Sequence, residues 1–268
     1  MSRIGESLRT RRRLLIGVTA ATLGIICGYD LSNIAGALLF ITNDFSLTVR
    51  KQELLTTVVV IGEICGALSG GVLANAIGRK RSMMLVAAGY AVFSLMGAAA
   101  ASMPWLMAAR MLLGMTIGLS AAVTPVYIAE SAPAERRGSL LVTYQVATIL
   151  GIIGGYLSAF ALADSGSWRW MLGLAAIPAL LVLPLLANMP DTARWYLFKN
   201  RVDDARRSLQ RIEPSSDVDK EIAEISEAMR EERGGYRKEK SCDQGMGAHG
   251  VEQNTPGSGV WGGRKACV

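Results

Sequence analysis

Residues 54–81 read LLTTVVVIGEICGALSGGVLANAIGRKR, an apolar stretch that ends in three consecutive basic side chains. Glu63 is the only charged residue in this stretch before Arg79. An α-helix needs about 20 apolar residues to cross the hydrocarbon core of a bilayer, whereas a soluble core does not need such a run. The stretch therefore predicts a transmembrane helix followed by a charged loop.

The same pattern recurs along most of the chain. The 268 residues are 51% hydrophobic, and the apolar residues are concentrated before residue 189. The run at the start is too long for a secretory signal, so it is interpreted as the first span. We predict an all-α membrane protein with six transmembrane helices at about residues 14–41, 54–77, 82–102, 104–128, 139–163 and 169–188.

Basic residues are distributed unevenly among the connections between these segments. One side of the predicted bundle has ten, in the N-terminal tail and in the loops after the second and fourth segments. The other side has Arg50, Lys51 and Arg169. Because cytoplasmic loops carry the excess of Lys and Arg, we expect a multi-pass protein of the cell membrane with both ends of the bundle in the cytoplasm. This topology, rather than a nucleic-acid-binding face, accounts for the net charge of +6.

The sequence divides into four predicted parts. A basic cytoplasmic segment at 1–13 precedes the six-helix bundle at 14–188. Residues 189–233 alternate charged and apolar positions, which predicts short amphipathic helices on the cytoplasmic side, with a break at Pro214. Residues 234–268 have no apolar periodicity and are predicted to be disordered.

The chain has few of the residue patterns that indicate an enzyme or a metal site. Its four cysteines form no C-x-x-C pair, and the single histidine, His249, lies in the predicted tail. No nucleophile–base pair or phosphate-binding loop appears. We therefore expect neither an enzyme nor a bound metal or cofactor.

An acidic residue inside the first span calls for a partner. Asp30 lies in CGYDLSNIAG (27–36), and a charge at such a position costs ~3 kcal/mol or more. Counting 1.5 Å per residue puts Asp30 ~24 Å from the inner end of its span and Arg110 ~9 Å from the outer end of the fourth. Glu63 lies nearer the middle. We expect Asp30 and Arg110 to pair, facing a central cavity, either as a structural salt bridge or as a protonatable site.

These residues belong to a set of motifs that resembles the N-terminal half of a sugar porter of the major facilitator superfamily, over about residues 14–233. In chain order the motifs are Gly28-Tyr29-Asp30 with Ile34-Ala35-Gly36-Ala37, Gly71-Val-Leu-Ala-Asn75 with Gly78-Arg79-Lys80, Arg110 with Gly114 and Gly118, Pro125-Val-Tyr127 with Glu130, Pro133, Arg137 and Gly138, and Pro190-Asp191-Thr192-Ala193-Arg194-Trp195. Asn75, Asp191 and Ala193 depart from the residues most common in these motifs.

The resemblance implies a role for each matching residue. Asp30 corresponds to the carboxylate that couples protons to sugar, and Arg110 to the arginine that modulates it, so symport is favoured over uniport. Gln145 corresponds to a glutamine that binds sugar hydroxyls, although helix–helix hydrogen bonding would also suit its amide. A cytoplasmic gate that latches the outward-facing state is implied for Arg79, Lys80, Glu130, Arg137 and Arg194; topology alone would explain Lys80 but not Glu130. The family suggests no role for Glu63.

The resemblance also implies twelve spans in two halves with the sugar between them, whereas this chain has six predicted spans. A truncated or frame-shifted reading frame would explain the ending. The expected partners are a sugar, a proton, the lipid bilayer and a missing C-terminal half, with no nucleic acid. The alternatives are a non-transporting membrane remnant, an interaction protein, or a major facilitator transporter of another small polar solute.

Overall fold

The computed structural model describes residues 3–131, 137–189, 191–212 and 218–231, with side chains described from residue 17 and not at 211–212. The predicted break at Pro214 and the tail at 234–268 lie outside these residues. The described helices are α1 (Arg3–Asp44), α2 (Val49–Ile77), α3 (Arg79–Ala98), α4 (Met103–Ser131), α5 (Arg137–Ala161), α6 (Trp168–Leu174), α7 (Ala176–Ala187), α8 (Ala193–Phe198), α9 (Val202–Ile212) and α10 (218–231). One compact unit, Met1–Ser216, contains α1 to α9, and a second begins at Asp217 with α10.

Six helical segments are long and apolar enough to cross a membrane, as predicted. They are Gly17–Asp44, Val49–Ile77, Arg79–Ala98, Met103–Ser131, Arg137–Ala161 and Trp168–Ala187. The helices begin before the predicted spans, by the most in α1, which begins at Arg3, and in α2, which begins at Val49. Hydrophobicity marks the part of a helix that fits the bilayer, and polar residues continue these helices outside it. The chain is a multi-pass membrane protein of the all-α class.

The sixth span is not one continuous helix. It breaks at Ala175, between α6 and α7. Pro178 explains the break, because it has no N–H to donate to the carbonyl of Leu174 and its ring crowds that carbonyl. The last carbonyls of α6 therefore lack partners within the helix and must find them elsewhere.

Glycines allow two pairs of helices to pack in close contact, α1 with α5 and α2 with α4. A side chain at Gly28 would collide with the backbone carbonyl of Thr148, and one at Gly118 with the backbone carbonyl of Glu63. Small residues spaced four apart let membrane helices approach closely. The pairs Gly66-x-x-x-Gly70 on α2 and Gly114-x-x-x-Gly118 on α4 likewise leave no room for a side chain.

The bundle has two chemically different ends. At the basic end, Arg79, Lys80 and Arg81 begin α3, and Arg194 lies nearby in α8. At the other end, called here the Asp44 end, Trp168 Nε1 donates to Asp44 Oδ2 at 2.6 Å. Arg169 lies 3.6 Å from the same carboxylate and donates to the Ala100 carbonyl. The end of α1 and the α3–α4 connection therefore lie at the same level.

Candidate functional site

Asp30 and Arg110 form an ion pair inside the bundle. Arg110 Nη1 donates to Asp30 Oδ1 at 3.0 Å, and the residues are 1% and 3% exposed. The contact predicted from matched helix depths is confirmed. Its role in proton coupling stays a prediction.

The surroundings of this pair differ from the expectation. The pair lines a small internal cavity with residues of α3, α4 and α6, including Phe93, Ser94, Leu113 and Leu172. The pair is therefore buried among α1, α3, α4 and α6 and does not face a central cavity on the surface of the bundle. The reason lies in α1, whose other side is packed against the α5 backbone through Gly24 and Gly28, which turns Asp30 towards α3 and α4.

Arg110 is only partly satisfied by this contact. Its Nε and Nη2 are buried without a hydrogen-bond partner. Among the described residues, one other side-chain polar atom is in the same condition, Oδ1 of Asn33. Asn33 is 0% exposed and lies one helical turn beyond Asp30 on α1.

Side chains of α1 and α3 donate hydrogen bonds to the carbonyl groups at the end of α6. Asn33 Nδ2 and Tyr29 Oη donate to the Met171 carbonyl at 2.7 and 3.2 Å. Ser94 Oγ donates to the Leu172 carbonyl at 2.5 Å. The break in the sixth span is thus held by residues that adjoin the Asp30–Arg110 pair. Neither Asn33 nor Ser94 was predicted from the sequence, although Pro178 inside an apolar span was a signal that such partners are needed.

Gln145 lies apart from the pair. Its side chain is exposed on α5, whereas Asp30 is buried. The neighbouring Tyr144 points inwards, with its hydroxyl 4.0 Å from Cys27 Sγ. The structure therefore does not enclose Gln145 and Asp30 in one cavity.

Glu63 is half-buried on α2. Its backbone carbonyl lies against Gly118 of α4, which fixes its position along the bundle. Within the part of the chain that the structure describes, its carboxyl group makes no hydrogen bond or ion pair. It has no assigned role.

A second charged cluster lies at the basic end around Glu130. Arg79 binds this carboxylate through Nε and Nη2, at 3.1 and 3.2 Å. Thr192 Oγ1 donates to it at 2.7 Å, and Arg194 Nε lies 4.0 Å away. Three of the residues predicted to form a gate, Arg79, Glu130 and Arg194, are therefore brought together.

Asp191 connects Lys80 to this cluster. Its Oδ1 accepts from the backbone N–H of Lys80 and of Thr192, at 3.1 and 3.0 Å. The Lys80 N–H belongs to the first turn of α3, so the carboxylate caps a helix that has no cap of its own. Lys80 Nζ donates to the Ala187 carbonyl at 2.7 Å. Arg137 begins α5 and its side chain is exposed.

The bundle has six apolar spans, an ion pair inside it and a charged cluster where the second span meets the third. This arrangement matches the N-terminal half of the major facilitator fold. The model of the family described as "Sugar (and other) transporter" matches residues 16–255. The chain belongs to this family, whose members are transporters and not enzymes. The match extends past residue 233, so the likeness reaches further into the tail than predicted.

Individual relatives give the same result. The galactose-proton symporter of Escherichia coli K12 is 38% identical over 218 residues, which is 81% of this chain and 47% of the relative. The arabinose-proton symporter of the same strain is 38% identical over 234 residues, 86% of this chain and 50% of the relative. The chain spans about half the length of the curated relatives it matches.

Solved structures also match. The xylose transporter XylE from E. coli, in a partially occluded inward open conformation, has a TM-score of 0.76 at 26% identity. The match covers 82% of this chain and 60% of that one. XylE bound to 6-bromo-6-deoxy-D-glucose, described as a proton:xylose symporter, matches with the same TM-score and identity over 86% of this chain and 55% of that one.

Proposed function

We propose that the chain provides the N-terminal six helices of a proton-coupled sugar symporter that works by alternating access in the cell membrane. The buried contact between Asp30 and Arg110 is the observation that carries this proposal. An ionisable residue inside a membrane protein is costly and is usually kept for function. The relatives named as galactose- and arabinose-proton symporters support both the sugar and the proton.

Protonation would change the strength of the pair. With the proton off, attraction to Arg110 offsets part of the desolvation of the Asp30 carboxylate. With the proton on, that attraction is lost and Arg110 is released. A sugar that binds one of these states better shifts the population towards it, and by reciprocity the proton then changes the affinity for the sugar.

Gln145 is proposed to bind the sugar. Its amide both donates and accepts hydrogen bonds, as a polyol requires, and its exposure on α5 leaves it accessible to a solute. The sugar and the proton would then bind at separate places, so that coupling acts through the helices and not by direct contact.

Arg79, Lys80, Glu130, Arg137 and Arg194 are proposed to form a cytoplasmic gate. Glu130 and its partners link α3, α4 and α8 at the basic end. Such a cluster can hold that end closed in one state and be rearranged in another. The proposal includes a C-terminal half as the partner on which the gate closes.

Transport into proteoliposomes tests the proposal. The purified chain is assayed alone and together with the C-terminal half of the arabinose-proton symporter, with and without an inward proton gradient. Proton-driven accumulation of sugar is expected in the completed protein. Asp30→Asn should abolish accumulation and leave exchange of sugar at least partly intact, because Gln145 is unchanged. Accumulation by Asp30→Asn equal to that of the parent would reject the coupling role, and no uptake in any arm would favour a non-transporting membrane protein.

The orientation is tested by labelling single cysteines in a background without the natural ones. Ser102 and Gln210 are both exposed, near the Asp44 end and on α9 respectively. An impermeant reagent added outside the cell should label Ser102→Cys and not Gln210→Cys. The opposite pattern would reverse the proposed topology.

A further inference from the structure

We propose that Asn33 is the alternative partner of Arg110, accepting its guanidinium when Asp30 binds a proton. The inference rests on the proposed function in taking Asp30 as the proton-binding group, and it identifies what Arg110 binds after release. Asn33 would act as a positioning residue, since it is not itself protonated.

Among the described residues, Arg110 has two hydrogen-bond donors without a partner, and Asn33 has one acceptor without a partner. Arg110 Nε and Nη2 and Asn33 Oδ1 are the buried side-chain polar atoms without a hydrogen bond in the part of the chain that the structure describes. A buried polar group without a partner costs about 1–3 kcal/mol, so each such group requires an explanation. Two donors on one residue and one acceptor on another complement each other chemically.

The amide of Asn33 is fixed in the orientation that this requires. The Met171 carbonyl, 2.7 Å away, can bind only a donor, so Nδ2 must face it. Oδ1 is therefore the atom left over, and it is an acceptor held in place by the other half of the amide. Tyr29 donates to the same carbonyl, which anchors this part of α1 to α6.

Asn33 also lies along the path that the guanidinium would take. Asn33 follows Asp30 by three residues, so at 1.5 Å per residue it lies ~4.5 Å nearer the Asp44 end of α1. The helix of Arg110, α4, begins at that same end, because Arg169 bridges Asp44 and Ala100. A guanidinium that withdraws from Asp30 towards this end therefore passes the level of Asn33.

Helix geometry allows both contacts on one side of α1. Residues three apart share a helix face, so Asp30 and Asn33 are neighbours. The cavity beside the pair is lined by Leu172, which follows the carbonyl that Asn33 binds. A movement of the arginine side chain along this face of α1 would exchange one partner for the other.

Several titratable groups besides Arg110 interact electrostatically with Asp30, and the variants below change the charge of none of them, because a tyrosine hydroxyl is neutral at the pH where a carboxyl group titrates. They come from three elements: Glu63 on α2, Tyr90 on α3, and Cys27 and Tyr29 on α1. Asn33 is not titratable, so replacing it changes no charge.

The test measures protonation of Asp30 by infrared spectroscopy on the full chain in lipid nanodiscs. The carbonyl stretch of the protonated carboxyl is followed against pH and assigned by its loss in Asp30→Asn. Asn33→Leu keeps the branched shape and the number of side-chain heavy atoms and removes the amide. The hydrogen bond from Nδ2 to the Met171 carbonyl is lost in both charge states and cancels, whereas the bond from Arg110 to Oδ1 is lost in the protonated state alone. We expect about a tenfold loss of proton affinity, so the midpoint moves about one unit to lower pH.

Tyr29→Phe is the matched control, since it removes the other hydrogen bond to the Met171 carbonyl and leaves Oδ1 in place. Its midpoint should stay within a few tenths of a pH unit of the parent's, as expected where no buried partner of Asp30 is lost. If Asn33→Leu fails to fold, Asn33→Ser removes the extended amide without adding bulk and should shift the midpoint in the same direction.

Three results would overturn the inference: an unchanged midpoint in the Asn33 variants, an equal shift in Tyr29→Phe, or no carboxyl band that depends on Asp30. The outcome is separable from that of the proposed function. Loss of transport with the expected Asn33 shift counts only against symport. Transport with an unshifted midpoint counts only against Asn33.

Discussion

The two charged sites of the bundle, the Asp30–Arg110 pair and the Glu130 cluster, differ in how many of their polar atoms have a hydrogen-bond partner. The Asp30–Arg110 pair is almost fully buried, with side chains 4% and 2% exposed, and one hydrogen bond joins them. Glu130, 8% exposed, has two hydrogen bonds from Arg79, one from Thr192 and Arg194 close by. A group with a full set of partners is held in place, whereas a pair with unused donors can exchange partners. The comparison indicates that the pair inside the membrane exchanges partners more easily than the Glu130 cluster at the membrane boundary, which needs a larger rearrangement to open.

Stability does not explain the buried pair. Removing two charges from water costs several kcal/mol each, and replacing a buried ion pair by apolar residues is often neutral or stabilising. Breaking such a pair is different, because it leaves one charge buried without its counter-ion.

Replacing Arg110 by leucine should have the largest effect. It leaves the Asp30 carboxylate without its cation at a position that is 3% exposed. We expect a loss of about 3–5 kcal/mol in the free energy of unfolding at neutral pH. Denaturant titration in detergent, followed by circular dichroism, measures it.

The double variant Asp30→Asn, Arg110→Leu is the control for that experiment. With both charges gone, most of the lost stability should return, because the penalty comes from the unpaired charge and not from the missing contact. A double variant as unstable as Arg110→Leu alone would show that packing around the guanidinium matters more than charge.

Glu130→Gln should have a smaller effect of about 1–3 kcal/mol. The variant keeps an oxygen for Thr192 but removes the charge that Arg79 and Arg194 share. Glu63→Gln is a matched control, since that side chain is half-buried and makes no described ion pair. It should change stability by less than about 0.5 kcal/mol. Equal losses in both variants would mean that the Glu130 contacts contribute little.

The sequence predicted the parts of these sites that depend on one helix at a time. Apolar length gave the six spans, and the helical rise matched Asp30 to Arg110. The direction in which Asp30 points was not predictable, because it follows from the packing of Gly24 and Gly28 on α5. The partners at the end of α6 were missed for a similar reason. Asn33 and Met171 are 138 positions apart in the chain, and their contact exists only in the folded bundle.

Asp191 illustrates a different limit. In the sequence it is a departure from a motif, since the family more often has another acid there. In the structure it caps α3 and packs against Gly78, whose φ is +102°. A pattern of residue types identifies such a position as conspicuous, but the backbone groups that it binds have no signature in the sequence.

Gly78→Ala should therefore lower the free energy of unfolding by about 1–3 kcal/mol, because it disturbs the contact of Asp191 with the start of α3. A methyl group there would need an unfavourable backbone angle and would collide with Asp191 Oδ2. Gly71→Ala, about two turns earlier in α2, is the control, because nothing lies within 4 Å of the added methyl group. That change should be neutral or stabilising by up to about 1 kcal/mol, as alanine favours helix. Thermal unfolding of the two variants side by side measures the difference, and equal melting temperatures would refute the close contact at Gly78.

The smallest effect is expected from Tyr196, which lies in α8, outside the membrane spans and close to the Glu130 cluster. Partial burial and repulsion from Asp191 and Asp204 raise the pKa of its hydroxyl, and Arg201, stacked 5.4 Å from its ring, offsets part of this. Because the folded state holds the proton more tightly than the unfolded state, the contribution to stability is complete below the usual tyrosine pKa of about 10. It is lost as the pH rises through the raised value. The absorbance change on ionisation, taken as the parent minus Tyr196→Phe, should therefore have its midpoint at a higher pH than that of an exposed tyrosine. A midpoint at or below that of an exposed tyrosine would mean that the carboxylates of Asp191 and Asp204 are too well neutralised by their partners to act on Tyr196.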